Sequence, residues 1–390
     1  MRSNRIIRRC GVRFIERPLA DGRAEIAYTR TGPPGGQVVL VLPGGPGVAS
    51  VWPYRGLRHR AARLGLDLVM VEHRGVGLSR AGFGRGDMGV EAVLDDIAAV
   101  LDAEGIDRVL IHGTSYGSYL AQGLGVLHPE RVAGMILDSA MLSAGDMTVV
   151  LDELNRLYWH GTEATHRQAG IVRGLVAEGV VTGAELGFPL QLLHEFGGTE
   201  LVDRALTLLR QGRGRRTWRW LRHLGDLEVL TPHPNVMEFD LAGEIAFREL
   251  AYDGPVGEWV LDVRAPFRAI ADQFSPFAWE PFRFERELGR FDWPTVVLSG
   301  DRDLRAPRPV AERIVDLTPG AALVPVARHG HSALDTQPGL ALAVMQAMVD
   351  GLTPATLAQR SWCGRPGALT RMLEARLALA SLGAGRPGSG

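Results

Sequence analysis

The chain has 390 residues, 46% of them apolar and 22% charged, which suits a globular protein with one large α/β domain carrying an insertion, or two domains. A formal net charge of −1 gives no general attraction to nucleic acid or to an anionic membrane, and the absence of any lysine excludes Schiff-base and P-loop chemistry. Cys10 and Cys363 are too few for a disulfide framework and lack metal-ligand spacing, so no metal and no cofactor is expected.

The N-terminus is arginine-rich, but no apolar segment of the secretory kind follows it. No run of about 18 apolar residues is present to span a membrane, and the expected location is cytoplasmic. Residues 12–16 and 24–28, separated by residues 18–22 with their proline and glycine, predict an antiparallel hairpin at a sheet edge. Val-Val-Leu-Val-Leu at 38–42 predicts a strand buried on both faces, running directly into Pro43-Gly44-Gly45-Pro46-Gly47. Such a loop lets backbone N–H groups approach a ligand closely.

A helix near 54–64, a buried strand at 66–72 and a helix at 90–103 come next. Further strands are predicted at 132–137, 295–299 and 322–326, with a closing helix near 340–349. The alternation implies an α/β fold with a mostly parallel central sheet flanked by helices. Between its two parts, residues 141–290 carry helix-like segments at 149–159, 167–177, 200–209 and 241–250 and few strand candidates. The expected division is therefore core at 1–140, helical cap at 141–290, core again at 291–352, and a C-terminal extension at 353–390. Residues 381–390 read as a disordered end. Six arginines around two tryptophans at 210–222 read as a solvated helix face or loop rather than a nucleic-acid site.

The centre of the pattern is Gly113-Thr114-Ser115-Tyr116-Gly117, between a β-like run and a helix-like one. That is the context of a nucleophile elbow, in which flanking glycines allow a tight turn that presents a strained serine above the sheet. Ser115 is the candidate nucleophile. A serine needs a base, and the base an orienting carboxylate; in this architecture they follow in the order serine, acid, histidine. The strand at 295–299 ends in a loop with Asp301 and Asp303, and the strand at 322–326 leads to His329 and His331. We favour Asp303 and His331, with Asp301 and His329 as neighbours. The oxyanion hole falls to two backbone N–H groups, those of Tyr116 and Gly45.

These stretches together resemble an α/β-hydrolase of the proline iminopeptidase (prolyl aminopeptidase) and tripeptidyl aminopeptidase group of serine peptidases. The resemblance is carried by Pro43-Gly44-Gly45-Pro46-Gly47, the Glu72 to Ser79 segment EHRGVGLS, the elbow, the segment GDRDLRAP beginning at Gly300, and Gly330-His331-Ser332. It implies a helical cap, Asp303 as the acid and His331 as the base. Many members of the group have histidine at the position of Pro43, and Asp-Gln where Glu72 and His73 stand.

The activity so implied is release of an N-terminal residue, often proline, from a small or short-peptide substrate through an acyl-enzyme. A desolvated α-ammonium then needs an anionic partner, for which the cap offers Glu195, Glu244 and Glu249. Glu244 and Glu249 are five residues apart and cannot share a narrow helix face, while Arg248 stands one turn from Glu244 as an ion-pair partner. The alternative is a carboxylesterase, thioesterase or lactonase on the same scaffold. A catalytically silent binding protein is disfavoured by the complete set of candidate groups. Epoxide hydrolase and dehalogenase chemistry is disfavoured by serine in place of aspartate at the elbow.

Overall fold

Val38–Leu42, Asp67–Val71, Val109–Thr114 and Thr295–Gly300 are buried along their whole length, as apolar-centred strands covered on both faces should be. The structure is a computed structural model describing residues 2–20, 22–230, 233–255 and 257–382, and it places these strands in one sheet of nine. In chain order they are β1 (Val12–Leu19), β2 (Gly22–Thr31), β3 (Val38–Leu42), β4 (Asp67–Val71), β5 (Val109–Thr114), β6 (Val132–Asp138), β7 (Thr295–Gly300), β8 (Ala322–Ala327) and β9 (Trp362–Cys363).

The spatial order is β1-β2-β4-β3-β5-β6-β7-β8-β9. β2 pairs antiparallel with both β1 and β4, and all other neighbours are parallel. From β3 the chain crosses to β4 on one side and then to β5 on the other, so a switch point lies between the carboxyl ends of β3 and β5. A crevice opens at such a point in open α/β sheets, and here the glycine loop and Ser115 meet at it.

The edge hairpin is longer than the sequence suggested, and Pro18 lies inside β1, opposite Arg23. An edge strand tolerates proline because one of its two sides has no ladder to donate to. Between β6 and β7 the elements are helical, led by Asp146–Asn155, His166–Ala177, Gly183–Arg210, Arg215–Leu230 and Phe239–Arg248. The long helix Gly183–Arg210 is bent at Gly198, whose φ of 67° is not helical. This insertion has its own apolar core, with Leu154, Tyr158, Val172, Leu190 and Leu206 almost wholly buried.

The C-terminal extension packs on both the insertion and the sheet. Its helix Ala368–Leu382 drives Leu373 and Leu377 into the core of the insertion, while β9 adds to the sheet edge. Ser381 and Leu382 close that helix, and the rest of the expected disordered end, residues 383–390, lies outside the described residues. In the arginine-rich stretch Trp218 is buried in the same core, Arg222 pairs with Glu185, and Trp220 packs under Arg376. The run is a packed helix with its cations on the outer face. Among the described residues no helix is long and apolar enough to cross a membrane.

Candidate active site

β5 ends at Thr114 and the helix Tyr116–Leu127 begins two residues later, so Ser115 alone makes the turn. Its φ of 52° and ψ of −122° lie where residues with a Cβ rarely sit. The Ser115 N–H donates to the Asp138 carbonyl at 2.9 Å, and its own carbonyl accepts from the Ser118 N–H at 2.8 Å. The flanking glycines are steric necessities. A Cβ on Gly113 would stand 2.3 Å from the Gly117 carbonyl oxygen, and one on Gly117 would stand 2.0 Å from that of Leu42.

The loop after β3 runs beside the serine, where a Cβ on Gly44 would lie 3.2 Å from the Ser115 Cβ. Buried Glu72 fastens the far end of this loop, accepting from the Ser50 N–H at 2.6 Å and the Val51 N–H at 2.8 Å, and from the Leu78 N–H at 3.1 Å. The unusual Glu72 thus joins the glycine loop to the segment that follows β4. His73 accounts for the other departure, its Nε2 lying 3.1 Å from the Tyr116 hydroxyl. The Tyr116 N–H itself stands at the first position of its helix, where backbone donors have no intrahelical partner.

Asp303 follows β7 and His331 follows β8. His331 Nδ1 lies 3.1 Å and 3.2 Å from the two Asp303 carboxylate oxygens, and Asp303 Oδ1 also accepts from the Arg305 and Ala306 N–H groups, each at 2.9 Å. Burial by itself would raise the Asp303 carboxyl, but the adjoining His331 and the surrounding donors hold it below its ordinary range. Burial would likewise lower His331, and the Asp303 carboxylate more than reverses this, so the imidazole sits above its ordinary value. With Nδ1–H committed to a carboxylate, Nε2 is the nitrogen left to accept a proton.

The neighbouring acid and histidine do different work. Asp301 is exposed, and its Oδ1 accepts from the His329 N–H at 3.1 Å, closing the loop that carries His331. His329 is buried, and burial lowers its pKa.

Ser115 and His331 open onto one cavity of about 260 Å³ that Gly44 and Gly45 also line. Among the described residues no hydrogen bond joins the Ser115 hydroxyl to the His331 ring; catalytic hydrogen bonds are often long until substrate is bound. The insertion roofs the cavity with Met141, Val150, Phe188, Phe239, Leu250 and Phe267, and its polar wall is Asp146, Gln191, Tyr252, Arg305 and Asp335.

None of the three expected ammonium partners is on that wall. Glu244 faces Arg248 and the Ser275 N–H, and Glu249 faces Arg248 at 2.7 Å and the Val90 N–H at 2.8 Å. Glu195 is buried behind His331 and pairs with Arg305 at 3.3 Å. Each of the three carboxylates expected to meet a substrate ammonium, Glu195, Glu244 and Glu249, is instead partnered by a protein cation or a backbone donor.

Three groups that sequence reasoning passed over matter here. Asp138, at the end of β6, accepts from the Thr114 hydroxyl at 3.0 Å and from the Ala333 and Leu334 N–H groups at 3.1 Å and 2.9 Å, tying the serine strand to the histidine loop. Despite full burial its carboxyl is held down at about 2, with His112 the main cause and the Leu334 N–H contributing. Its only sequence signal was an acid at the end of an apolar strand. Asp146 lies in the cavity wall, its carboxyl pushed up to about 6 by burial against the N–H groups of Leu142 and Ser143. Tyr252 donates its hydroxyl hydrogen to the Gly45 carbonyl at 2.8 Å.

A family model described as the alpha/beta hydrolase fold matches residues 37–170, the part of the sheet that carries the glycine loop and the elbow. The chain has the α/β-hydrolase fold. Within that fold, 153 residues are 32% identical to a proline iminopeptidase of Neisseria meningitidis, covering 37% of this chain and 48% of that protein. The chain thus spans about half the length of the curated relatives it matches at this level. The rhodomycin D methylesterase DauP of Streptomyces sp. strain C5 is 26% identical over 304 residues, which is 77% of this chain and 87% of DauP. A crystal structure of a proline iminopeptidase from Mycobacterium smegmatis superposes with a TM-score of 0.51 over 87% of this chain and 98% of that one, at 16% identity. That is a likeness of fold. The hydrolase is therefore similar to proline iminopeptidases over about a third of its length and to a methylesterase over most of it.

Proposed function

We propose that this α/β-hydrolase is a serine esterase that cleaves a carboxyl ester of a substrate with a large apolar body. In this reading Ser115 attacks the ester carbonyl, His331 Nε2 takes the serine proton, and Asp303 holds the imidazole in the needed tautomer. The Gly45 and Tyr116 N–H groups receive the developing oxyanion. His331 then returns the proton to the leaving alcohol, and water releases the acyl group by the same steps. The helical insertion serves as the cap over the acyl-enzyme.

The observation that carries this reading is the cavity wall. Its side chains are mostly apolar, from Met, Phe, Leu, Val, Ala and Pro, and the cap glutamates that would have met an α-ammonium are occupied elsewhere. The similarity to a methylesterase over most of the chain supports the same reading.

Release of an N-terminal residue, often proline, is the second reading. Its support is the similarity of 153 residues of the chain to proline iminopeptidases, and Asp146, a carboxylate on the cavity wall. A desolvated ammonium without a partner costs about 2–5 kcal/mol, which is roughly 30-fold or more in rate.

The expected result is that p-nitrophenyl butyrate is turned over with kcat/KM at least roughly 30-fold above that for proline p-nitroanilide, and that Asp146→Asn leaves the ester rate nearly unchanged. Preference for proline p-nitroanilide over both the ester and an N-blocked analogue would replace the esterase reading with the aminopeptidase one. Asp146→Asn would then depress the unblocked substrate selectively.

A further inference from the structure

The glycine loop that supplies one oxyanion donor is held less by the sheet than by the insertion. Gly45 has a φ of 130° and no side chain, so nothing of its own fixes the direction of its N–H. The restraint comes from three contacts across the cavity mouth. The Tyr252 hydroxyl donates to the Gly45 carbonyl at 2.8 Å, the Glu238 N–H donates to the Gly47 carbonyl at 2.8 Å, and the Ala49 N–H donates to the Val236 carbonyl at 2.9 Å. The last two form a short antiparallel bridge, Val48 opposite Met237, between the loop and the insertion. A Cβ on Gly47 would stand 2.8 Å from the Glu238 carbonyl oxygen, so the two backbones are in direct contact.

We propose that Tyr252 is a positioning residue for the oxyanion hole, clamping the Gly45 carbonyl so that the Gly45 N–H stays aimed at the position above Ser115 where negative charge develops. This rests on the assignment of Ser115 and Gly45 in the reading above. The clamp belongs to the insertion, so the catalytic loop is complete only when the insertion is docked, and cap and hole form one mechanical unit. Burial raises the Tyr252 phenol above its ordinary value, which keeps the hydroxyl protonated and a donor throughout the working pH range. Its ring packs edge-on against Phe267 at 5.5 Å between centroids, so the hydroxyl has little freedom to swing away. The bridge segment is anchored in turn by Glu238, whose carboxylate accepts from the Asn235 N–H at 2.8 Å and the Gly77 N–H at 3.0 Å.

A group that orients a donor acts on the tetrahedral state and not on ground-state binding. Tyr252→Phe keeps the ring and removes one neutral hydrogen bond, and kcat for p-nitrophenyl butyrate is expected to fall roughly tenfold with KM within about twofold. Phenylboronic acid, which forms a tetrahedral adduct on a nucleophilic serine, should lose affinity in parallel with kcat. A tyrosine that merely filled space or touched the substrate would move KM, or stability, and leave the boronate untouched. Glu238→Ala, which loosens the bridge without entering the cavity, should lower kcat and boronate affinity in the same direction and serves if Tyr252→Phe fails to fold.

Wild-type kcat and wild-type boronate affinity in both variants would overturn the inference, while an inactive Ser115→Ala and an inhibited wild type left the serine reading standing. Failure of phenylboronic acid to inhibit the wild type, together with an active Ser115→Ala, would overturn the serine reading and this inference with it.

Discussion

Ser115→Ala is expected to lower hydrolysis by roughly 10⁴-fold or more, because the members of a nucleophile, base and acid set act as one unit and the loss of one forfeits the work of all. The fold should be retained. The bonds that hold the elbow are backbone bonds, from the Ser115 N–H to Asp138 and from Ser118 to the Ser115 carbonyl, and alanine keeps both. Alanine at a φ of 52° is strained as serine is, so the change in unfolding midpoint should be small. Steady-state kcat/KM on p-nitrophenyl butyrate alongside a circular dichroism melt checks this. A folded variant with a tenth of the wild-type rate would remove Ser115 from the role.

His331→Ala and Asp303→Asn are expected to be comparably severe, on the order of 10³–10⁴-fold for each, and the second carries a pH signature whose sign follows from the site. The base must be neutral to take a proton, so kcat/KM rises with pH through the His331 pKa, and Asp303 places that limb above the ordinary 6.5 of histidine. Asparagine in place of Asp303 removes the charge that counters burial, so the limb of the residual activity should move to lower pH. Asp301→Asn and His329→Ala should cost less than about tenfold, since neither side chain lines the cavity and the Asp301 contact is to backbone. A pH profile of kcat/KM for wild type and Asp303→Asn checks the sign. An acid limb that stayed in place, or moved up, would mean that Asp303 does not face the base.

What was legible in the sequence was what local chemistry dictates. The strand at 38–42 is an unbroken apolar run, the strands expected before the elbow and at 295–299 have apolar centres, and the glycines at 113 and 117 marked the elbow because no other residue fits there. The chain order of Ser115, Asp303 and His331 placed all three at carboxyl ends of parallel strands, where the fold brings Asp303 against His331 and puts Ser115 and His331 on one cavity. What was not legible depends on partners far along the chain. Glu249 has no arginine one helical turn away, yet it lies just past the helix end, where its partners are the next-door Arg248 and the Val90 N–H on another element. Asp138 and Tyr252 gave no pattern, since each acts on backbone groups of a distant loop. The helix Ala368–Leu382 was missed because its contact with the core of the insertion is narrow, with Leu373 and Leu377 buried and Leu369 and Ala380 packed at the margin.

The most direct test of the account is covalent capture of the nucleophile. Arginine is the only tryptic residue in this chain, and residues 109–131 form one tryptic peptide that carries both Ser115 and Ser118. After reaction of the intact protein with a fluorophosphonate and loss of esterase activity, mass spectrometry should find one adduct, on Ser115 within that peptide, with Ser118 unmodified and its hydroxyl still bonded to the Ser115 carbonyl. Full inactivation with the adduct on any other residue, or full activity with Ser115 quantitatively labelled, would contradict it.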